Sequence, residues 1–513
     1  MKEQEKKIET AFISVYKKGK IDSLVKYLSS INVKIISTGG TEKYIKNLGV
    51  DVQPVESLTD FPSILGGRVK TLHPKVFGGI LNKRKDLDDI QEIKKFGISN
   101  IDMVIVDLYP FEETVKDTKS NDQDIIEKID IGGVSLIRAA AKNFKDVFVV
   151  PCRSLFSEAT EILKNNNGKT TDLVRKVFAK KSFNLCSKYD SNIYHWFNDE
   201  THNLTNDLNL NFLKSNALRY GENPHQKGVF YGNLNSIFTQ IHGKEISYNN
   251  LLDIDSAINL ISDFKTTTFC VLKHNNPCGV ASKKSVIKSW KKALEGDPIS
   301  AFGGVLITND EIDLETAEKI NNLFFEIIIA PKYNSESLKI LQSKKNRIIL
   351  KLNNINSVSN ITYRSVLNGI VSQERDVFID SEEILEKITK LKPSKNQLED
   401  LLFASTVCKH TKSNAIVLVK NKQLIGIGCG QTSRVDALKQ AIIKAESFGF
   451  KLKDAVMASD AFFPFPDCVE IASKKGINAV IQPGGSINDK LSIDFCNENN
   501  IAMVLTKIRH FKH

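Results

Sequence analysis

The sequence predicts an α/β fold, with a mainly parallel sheet in its first 150 residues and mixed strands and helices beyond. Three observations carry that expectation. In the N-terminal part, short apolar runs alternate with stretches at helical spacing, the pattern of βα units. No apolar run exceeds five residues, against the roughly 18 a membrane span needs. Over 513 residues, 41% hydrophobic and 26% charged is the composition of a globular chain with material for several cores.

Taken in order, Ala11 to Tyr16 and Val33 to Ile36 read as strands, as do Met103 to Val106 and Val147 to Val150. Lys20 to Leu28, Glu42 to Leu48 and Asp88 to Lys95 carry helical spacing between them. From Asn198 to Asn211 the chain turns polar and Asn-rich, the composition of a linker, which places a boundary near residue 205. Strands and helices resume from about residue 212, and Leu391-Lys-Pro-Ser394 marks a second break, giving stretches of about 212–390 and 391–513. No repeat of fixed period and no heptad seam is visible.

Lys and Arg number 71 against 60 Asp and Glu, a net charge of +11 that suits nucleic acid, an anionic surface or small anionic substrates. The cations are dispersed, with no run longer than Lys83-Arg84-Lys85, so a nucleic-acid tail is not expected. Eight cysteines form no C-x-x-C pair and nine histidines no H-E-x-x-H, so zinc spacing is absent. Met1-Lys-Glu-Gln-Glu-Lys-Lys has no apolar stretch behind its charges, so no signal peptide is expected. Scattered thiols then point to a reducing, cytoplasmic setting.

Several segments carry chemistry. Val33 to Thr41 is a strand, then Ser37-Thr38-Gly39-Gly40-Thr41, then a helix start. Such a loop turns backbone N–H groups and hydroxyls toward an anion, and an ordinary turn with Thr41 as N-cap is the plainer reading. Gly66-Gly67-Arg68-Val69-Lys70-Thr71 sets two cations in a loop after a glycine pair. In the helix that follows Asp130, spacing puts Ser135, Arg138 and Lys142 on one stripe, with Ile137, Ala140 and Ala141 on the packing side. Thr267 to Leu272 is β-prone, ends in Lys273-His274 and breaks at Asn275-Asn276-Pro277-Cys278-Gly279. Strand ends are where open α/β sheets assemble sites, and a neighbouring ammonium helps keep His274 a neutral proton acceptor. Ala415 to Arg434 reads as a hairpin, a glycine loop and a helix start that lacks G-x-G-x-x-G and P-loop spacing. Ser459 to Asp467 joins three phenylalanines, two prolines and terminal carboxylates, a wall suited to a flat heterocycle or simply core packing.

Together these segments, with DLYPF, LRYGENPHQ, SAFGG, IQPGGSI and the terminal RHFKH, closely resemble the bifunctional AICAR formyltransferase/IMP cyclohydrolase family of purine biosynthesis. The resemblance implies an N-terminal methylglyoxal-synthase-like cyclohydrolase (1–205) and a transformylase (206–513) of two cytidine-deaminase-like α/β subdomains. It also implies a homodimer, a 10-formyltetrahydrofolate cosubstrate and no metal or tightly bound cofactor. AICAR, formyl-AICAR, IMP and folate would be its ligands, and nucleic acid and membrane would not. For formyl transfer it implies His274 in proton transfer, Lys273 on the oxyanion or the leaving nitrogen, and Asn414 on the formyl oxygen. Arg219, Tyr220 and Arg434 would hold the nucleotide, with Phe462, Asp467 and His513 lining the site. For ring closure it implies Lys70, Tyr109, Asp130 and Lys142 as catalytic residues. Ser14, Ser37, Gly39, Gly40, Thr41, Arg68 and Thr71 would form the nucleotide cradle.

Three positions depart from the family pattern: Asp107 where Asn is usual, Asn488 where Arg is usual, and Tyr16 in place of a small hydroxyl residue. A carboxylate at Asp107 would repel a phosphate or shift its own titration. Two other readings are a basic nucleic-acid-binding protein, which needs clustered cations, and a phosphosugar lyase, which leaves residues 212–513 idle.

Overall fold

The computed structural model describes residues 5–199, 215–354 and 358–513, so most of the Asn-rich stretch and the boundary near residue 205 lie outside the described residues. The chain divides into two compact units, Met1–Asn211 and Phe212–His513.

The first unit is built on strands β1 (Thr10–Val15), β2 (Lys34–Ser37), β3 (Gln53–Pro54), β4 (Met103–Asp107) and β5 (Phe148–Val150). They lie in the order β3-β2-β1-β4-β5, and every neighbouring pair is parallel. Helices cover both faces, so Phe12, Ile13, Ile36 and Val104 to Val106 are all buried. That is why the strands read as unbroken apolar runs rather than alternating ones. Strand β3, only two residues long, leaves no period in the sequence to find. Helices α1 (Gly39–Asn47) and α2 (Gly132–Lys142) matter most for function. One correction falls at α1: Thr38, not Thr41, occupies its N-cap position. Thr41 is buried, and its hydroxyl accepts from Val15 N at 3.1 Å and donates to Val15 O at 3.0 Å. Backbone groups at a strand end need partners, and that need overrides the cap.

The second unit holds two six-stranded sheets. The first contains β6 (Phe238–His242), β7 (Thr268–Lys273), β8 (Asn276–Ser282), β9 (Val305–Thr308), β10 (Ile327–Ala330) and β11 (Ile348–Leu352). The second contains β12 (Glu386–Lys387), β13 (Ile416–Val419), β14 (Leu424–Gly428), β15 (Val456–Ser459), β16 (Ala479–Gln482) and β17 (Ala502–Leu505). Their orders, β6-β11-β10-β9-β7-β8 and β12-β17-β16-β15-β13-β14, are one topology used twice. The strand directions match as well: an antiparallel edge, three parallel strands, then an antiparallel hairpin. The duplication is structural, with no sequence period to betray it.

Successive side chains point to opposite faces, and both faces of each sheet are buried. Cys270 and Leu272 join a central apolar cluster that includes Val417 and Val419 of the other sheet. Phe269 and Val271 face outward onto Trp290 and Ala293. Helices α3 (Tyr248–Ser262) and α5 (Lys395–Lys409) contribute to the central cluster. Helices α4 (Val286–Gly296) and α6 (Arg434–Ser447) cover outer faces. Glycine permits that cover: a Cβ on Gly279 would lie 2.1 Å from Ala293 O, and one on Gly428 would lie 1.9 Å from Ala437 O.

Candidate active sites

In the first unit, the carboxyl ends of the parallel strands open into a cavity of about 730 Å³, the place where open α/β sheets assemble sites. Ser14 enters from β1, where its hydroxyl lies 3.2 Å from that of Thr38. Gly40 and Thr41 present the N-terminal turn of α1, which favours an anion. Gly66 and Gly67, at φ of 64° and 89°, turn the chain so that Arg68, Lys70 and Thr71 reach the same wall. Tyr109 follows β4, and Asp130 precedes α2.

Not every expected residue reaches the cavity wall. Ser37 is buried, and its hydroxyl donates to Ile13 O at 2.8 Å. Gly39 opens α1 behind the lining residues. Lys142 is exposed at the far end of α2, on the outer stripe, and does not line the cavity. Lys18, Glu127 and Lys128 do line it and were not singled out. None of them belongs to a recognisable motif, and only the fold brings them there. Arg68 pairs with Glu127 at 2.6 Å, an exposed contact of small energetic weight.

Asp130 stands one residue ahead of Ile131, the N-cap position of α2. Its Oδ1 accepts from Gly133 N at 2.7 Å in the first turn of α2, and the residue lines the cavity. Its own N–H donates to Tyr189 Oη at 2.8 Å, and Tyr189 donates to Lys128 O at 2.7 Å. Burial raises the Asp130 pKa, against the Gly133 and Tyr109 backbone N–H groups and the Lys70 charge. Burial also raises the Tyr109 phenol, helped by the Asp130 charge. A carboxylate lifted in this way is a stronger proton acceptor. Gly133 has to be glycine, since a Cβ would come within 2.5 Å of Asp130 Oδ2. The departure at Asp107 is accommodated: its two oxygens accept from Lys17 N at 3.1 Å and Arg153 N at 3.3 Å.

In the second unit, β7 and β8 are joined by a turn of only two residues. His274 and Asn275 have φ of 52° and 64°, the geometry of a tight primed hairpin turn. The expected five-residue break is therefore corrected, because Asn276 to Gly279 already belong to β8. Strand β8 is an edge of its sheet, where a proline without an N–H is tolerated. The other sheet repeats the device at Asn421 and Lys422, with φ of 54° and 53°. An aspartate on the preceding helix secures each turn. Asp253 accepts from Asn275 N at 2.8 Å, and Asp400 accepts from Asn421 N and Lys422 N at 2.6 Å. Asn and His are both among the non-glycine residues that enter left-handed backbone most readily, so the two positions suit the residues they hold.

His274 is exposed, and Lys273 donates to Phe302 O at 2.8 Å. Asn276 Oδ1 accepts from Lys412 N at 3.1 Å, tying the turn to the Lys412–Asn414 loop. There Arg434 donates to Asn414 Oδ1 at 2.9 Å, to Ser459 Oγ at 3.1 Å and to the buried Asp460 carboxylate. The C-terminal segment pairs with the same loop, through Ser413 N to Lys512 O at 2.9 Å, and leaves His513 exposed beyond it. Phe463 is core, whereas Phe462 and Phe465 are exposed, so the aromatic segment divides between its two readings. Asp467 accepts from Cys468 N at the start of its helix. Asn488 donates to Pro464 O at 3.0 Å, which ties it to the aromatic loop. Arg219 stacks on Tyr220 at 5.1 Å near an exposed hairpin. Among the described residues, no hydrogen bond or ion pair joins that pair to Lys273, His274 or Arg434.

The segment that ends at His513 is anchored by His510, whose Nδ1 lies 2.6 Å from Asp376 and whose Nε2 lies 3.6 Å from Asp380. Burial opposes charge on His510, yet the hydrogen bonds and charges of Asp376 and Asp380 outweigh it and push the pKa up to about 9. A group raised in the folded state stabilises fully below its unfolded value of about 6.5 and loses that contribution as pH climbs through the folded value. The thermal midpoint of the second unit is therefore expected to fall by several degrees between about pH 7 and pH 10. In His510→Gln most of that slope disappears, and an unchanged slope would refute the assignment.

Fold and sites together define a two-unit α/β enzyme. One unit carries an anion cradle with a raised carboxyl, and the other carries a Lys-His pair on a tight strand-end turn. A family model described as AICARFT/IMPCHase bienzyme matches residues 140–444, and one described as MGS-like domain matches residues 20–135. Among curated proteins, the chain is similar to the bifunctional purine biosynthesis protein PurH of three bacteria. That of Bacteroides thetaiotaomicron is 55% identical over 99% of this chain and 100% of the relative. That of Aquifex aeolicus is 47% identical over 98% and 100%, and that of Acetivibrio thermocellus 46% identical over 99% and 100%. The chain belongs to the AICARFT/IMPCHase bienzyme family. It is a bifunctional purine-biosynthesis enzyme, an AICAR formyltransferase and IMP cyclohydrolase, and its formyl transfer draws on a folate cosubstrate. No helix among the described residues is long and apolar enough to cross a membrane.

Proposed function

We propose that the unit Phe212–His513 transfers a formyl group from 10-formyltetrahydrofolate to the 5-amino group of AICAR, and that the unit Met1–Asn211 closes formyl-AICAR to IMP. The observation that carries the first assignment is the Lys273–His274 pair, Lys273 ending β7 and His274 in left-handed backbone, on a turn tied to the loop of the Asn414–Arg434 cluster. The amine is a poor nucleophile, with its lone pair delocalised into the ring and carboxamide, so a proton must leave as it attacks. His274 takes that proton while the new C–N bond forms. The bond from the formyl carbon to the folate nitrogen then breaks, and Lys273 stabilises the oxyanion or protonates the departing nitrogen. Asn414 orients the formyl oxygen. Arg434, Arg219, Tyr220, Phe462, Asp467 and His513 hold the ligands.

In ring closure, the carboxamide nitrogen attacks the formyl carbon and water is lost. Orientation supplies a large part of such an intramolecular acceleration. The cradle of Ser14, Gly40, Thr41, Arg68 and Thr71, backed by Ser37 and Gly39, fixes the phosphate end. Asp130 and Tyr109, both above their ordinary pKa values, and Lys70 handle protons at the other end, and Lys142, outside the cavity, takes no step in this reading. Neither step in this reading uses a metal. Eight unpaired thiols fit a cytoplasmic enzyme, and a homodimer completes the reading.

The test supplies purified protein with AICAR and 10-formyltetrahydrofolate and follows tetrahydrofolate and IMP separately. Both products form with the wild-type chain. Asp130→Asn continues to release tetrahydrofolate but accumulates formyl-AICAR, with closure slowed by about 10²–10⁴-fold. IMP formation at the wild-type rate in Asp130→Asn would remove the cavity from the mechanism.

A further inference from the structure

Tyr16, one of the departures from the family pattern, occupies a crowded position at the wall of the first unit's cavity. Its ring packs edge-on against Tyr109, with centroids 5.2 Å apart and planes at 70°. The Lys128 ammonium lies over both rings, 5.5 Å from the Tyr16 centroid and 5.9 Å from that of Tyr109. On Tyr16 sits a second cation: Lys18 Nζ lies 5.9 Å from its ring centroid and donates to Tyr16 O at 2.8 Å. Tyr16 N in turn donates to Asp107 O at 3.0 Å, which fixes the backbone that carries the ring. No hydrogen bond holds the Tyr109 hydroxyl among the described residues, so the side chain is oriented by these ring contacts. A small hydroxyl residue at position 16 would supply neither the edge for Tyr109 nor the face for the two ammonium groups.

We propose that Tyr16 is a positioning residue for ring closure, acting with Lys128 to hold the Tyr109 phenol in place in the cavity. This rests on the cavity being the cyclohydrolase site. Cation–π contacts and an aromatic edge restrict a ring that has no hydrogen bond of its own, and reacting groups held in register are what an intramolecular closure needs. Tyr16 itself forms and breaks no bond. Its influence passes through Tyr109, so its effect belongs in kcat rather than in KM.

The experiment measures closure of supplied formyl-AICAR by the full-length chain in Tyr16→Ser, Tyr16→Phe, Lys128→Gln, Tyr109→Ala and the Tyr16→Ser/Tyr109→Ala pair. Tyr16→Ser is expected to lose about tenfold in kcat with KM within about twofold, and Tyr16→Phe, which keeps the ring, to recover most of that loss. In the Tyr109→Ala background, Tyr16→Ser costs nothing further, because the group it positions is gone. Lys128→Gln loses about threefold and is likewise silent in that background, which gives an independent route should Tyr16→Ser not fold. Wild-type kcat in both Tyr16→Ser and Lys128→Gln, a change in KM alone, or losses that multiply in the double variant would each overturn the proposal. Asp130→Asn in the same assay separates the two levels. If it closes the ring at the wild-type rate, the site assignment fails; if it is inactive while Tyr16→Ser is silent, only the role of Tyr16 fails.

Discussion

Lys273→Ala is expected to lower formyl transfer to AICAR by about 10²–10⁴-fold while leaving closure of supplied formyl-AICAR unchanged. Lys273 is the last residue of β7, half-buried, with its ammonium donating to Phe302 O at 2.8 Å. In the proposed reading, truncation removes the group that stabilises the developing oxyanion or protonates the leaving nitrogen. Lys273→Arg is expected to stay close to the alanine level, because a guanidinium keeps its proton throughout the working pH range. The groups proposed for ring closure, drawn from Ser14 to Asp130 in the other unit, are not altered. Following tetrahydrofolate and IMP separately checks the prediction. Loss of neither activity, or of both in a well-folded variant, breaks the division of labour between the units.

Arg434→Met carries the largest expected cost in stability. The guanidinium is buried at the start of α6 and donates to Asp460, which is itself 1% exposed and also accepts from the Ser413 hydroxyl. Removing the cation leaves a carboxylate with no counter-charge in the interior, a loss of about 3–5 kcal/mol. That figure is the cost of orphaning Asp460, not the net worth of the pair. Arg434→Met combined with Asp460→Leu is therefore expected to regain much of the stability, since two apolar groups need no partner. Denaturant unfolding of the second unit measures both. An unchanged midpoint in the single variant would show that the pair does not anchor the loop that carries Asn414. Formyl transfer is lost in both variants, because Arg434 also orients Asn414 at 2.9 Å.

Much of the candidate chemistry was legible before the fold. Lys273-His274 stood out because a β-prone run ended in two ionisable residues and a turn, and the run is β7. Lys70, Asp130 and Tyr109 came from motifs long enough to be recognised, and the structure places all three on one cavity. Lys18 and Lys128 were not legible, since a single lysine in a basic chain carries no local signal. The turn is shorter than its sequence suggests, because Pro277 reads as a breaker but is tolerated on an edge strand. The duplicated sheet topology left no trace, because topology is set by which strands pair and not by any repeat of residue types.

By itself the sequence determined the α/β class, the family and the residues able to do chemistry, because periodicity and motif are local properties of the chain. Only the tertiary structure decided which of those residues meet. It buried Ser37 against Ile13, left Lys142 outside the cavity, and brought Tyr16, Lys128 and Tyr109 together from three separate segments. Burial and charge proximity are long-range, so the raised Asp130 carboxyl, the His510 anchor and the Arg434–Asp460 pair exist only where the packed chain excludes water around them.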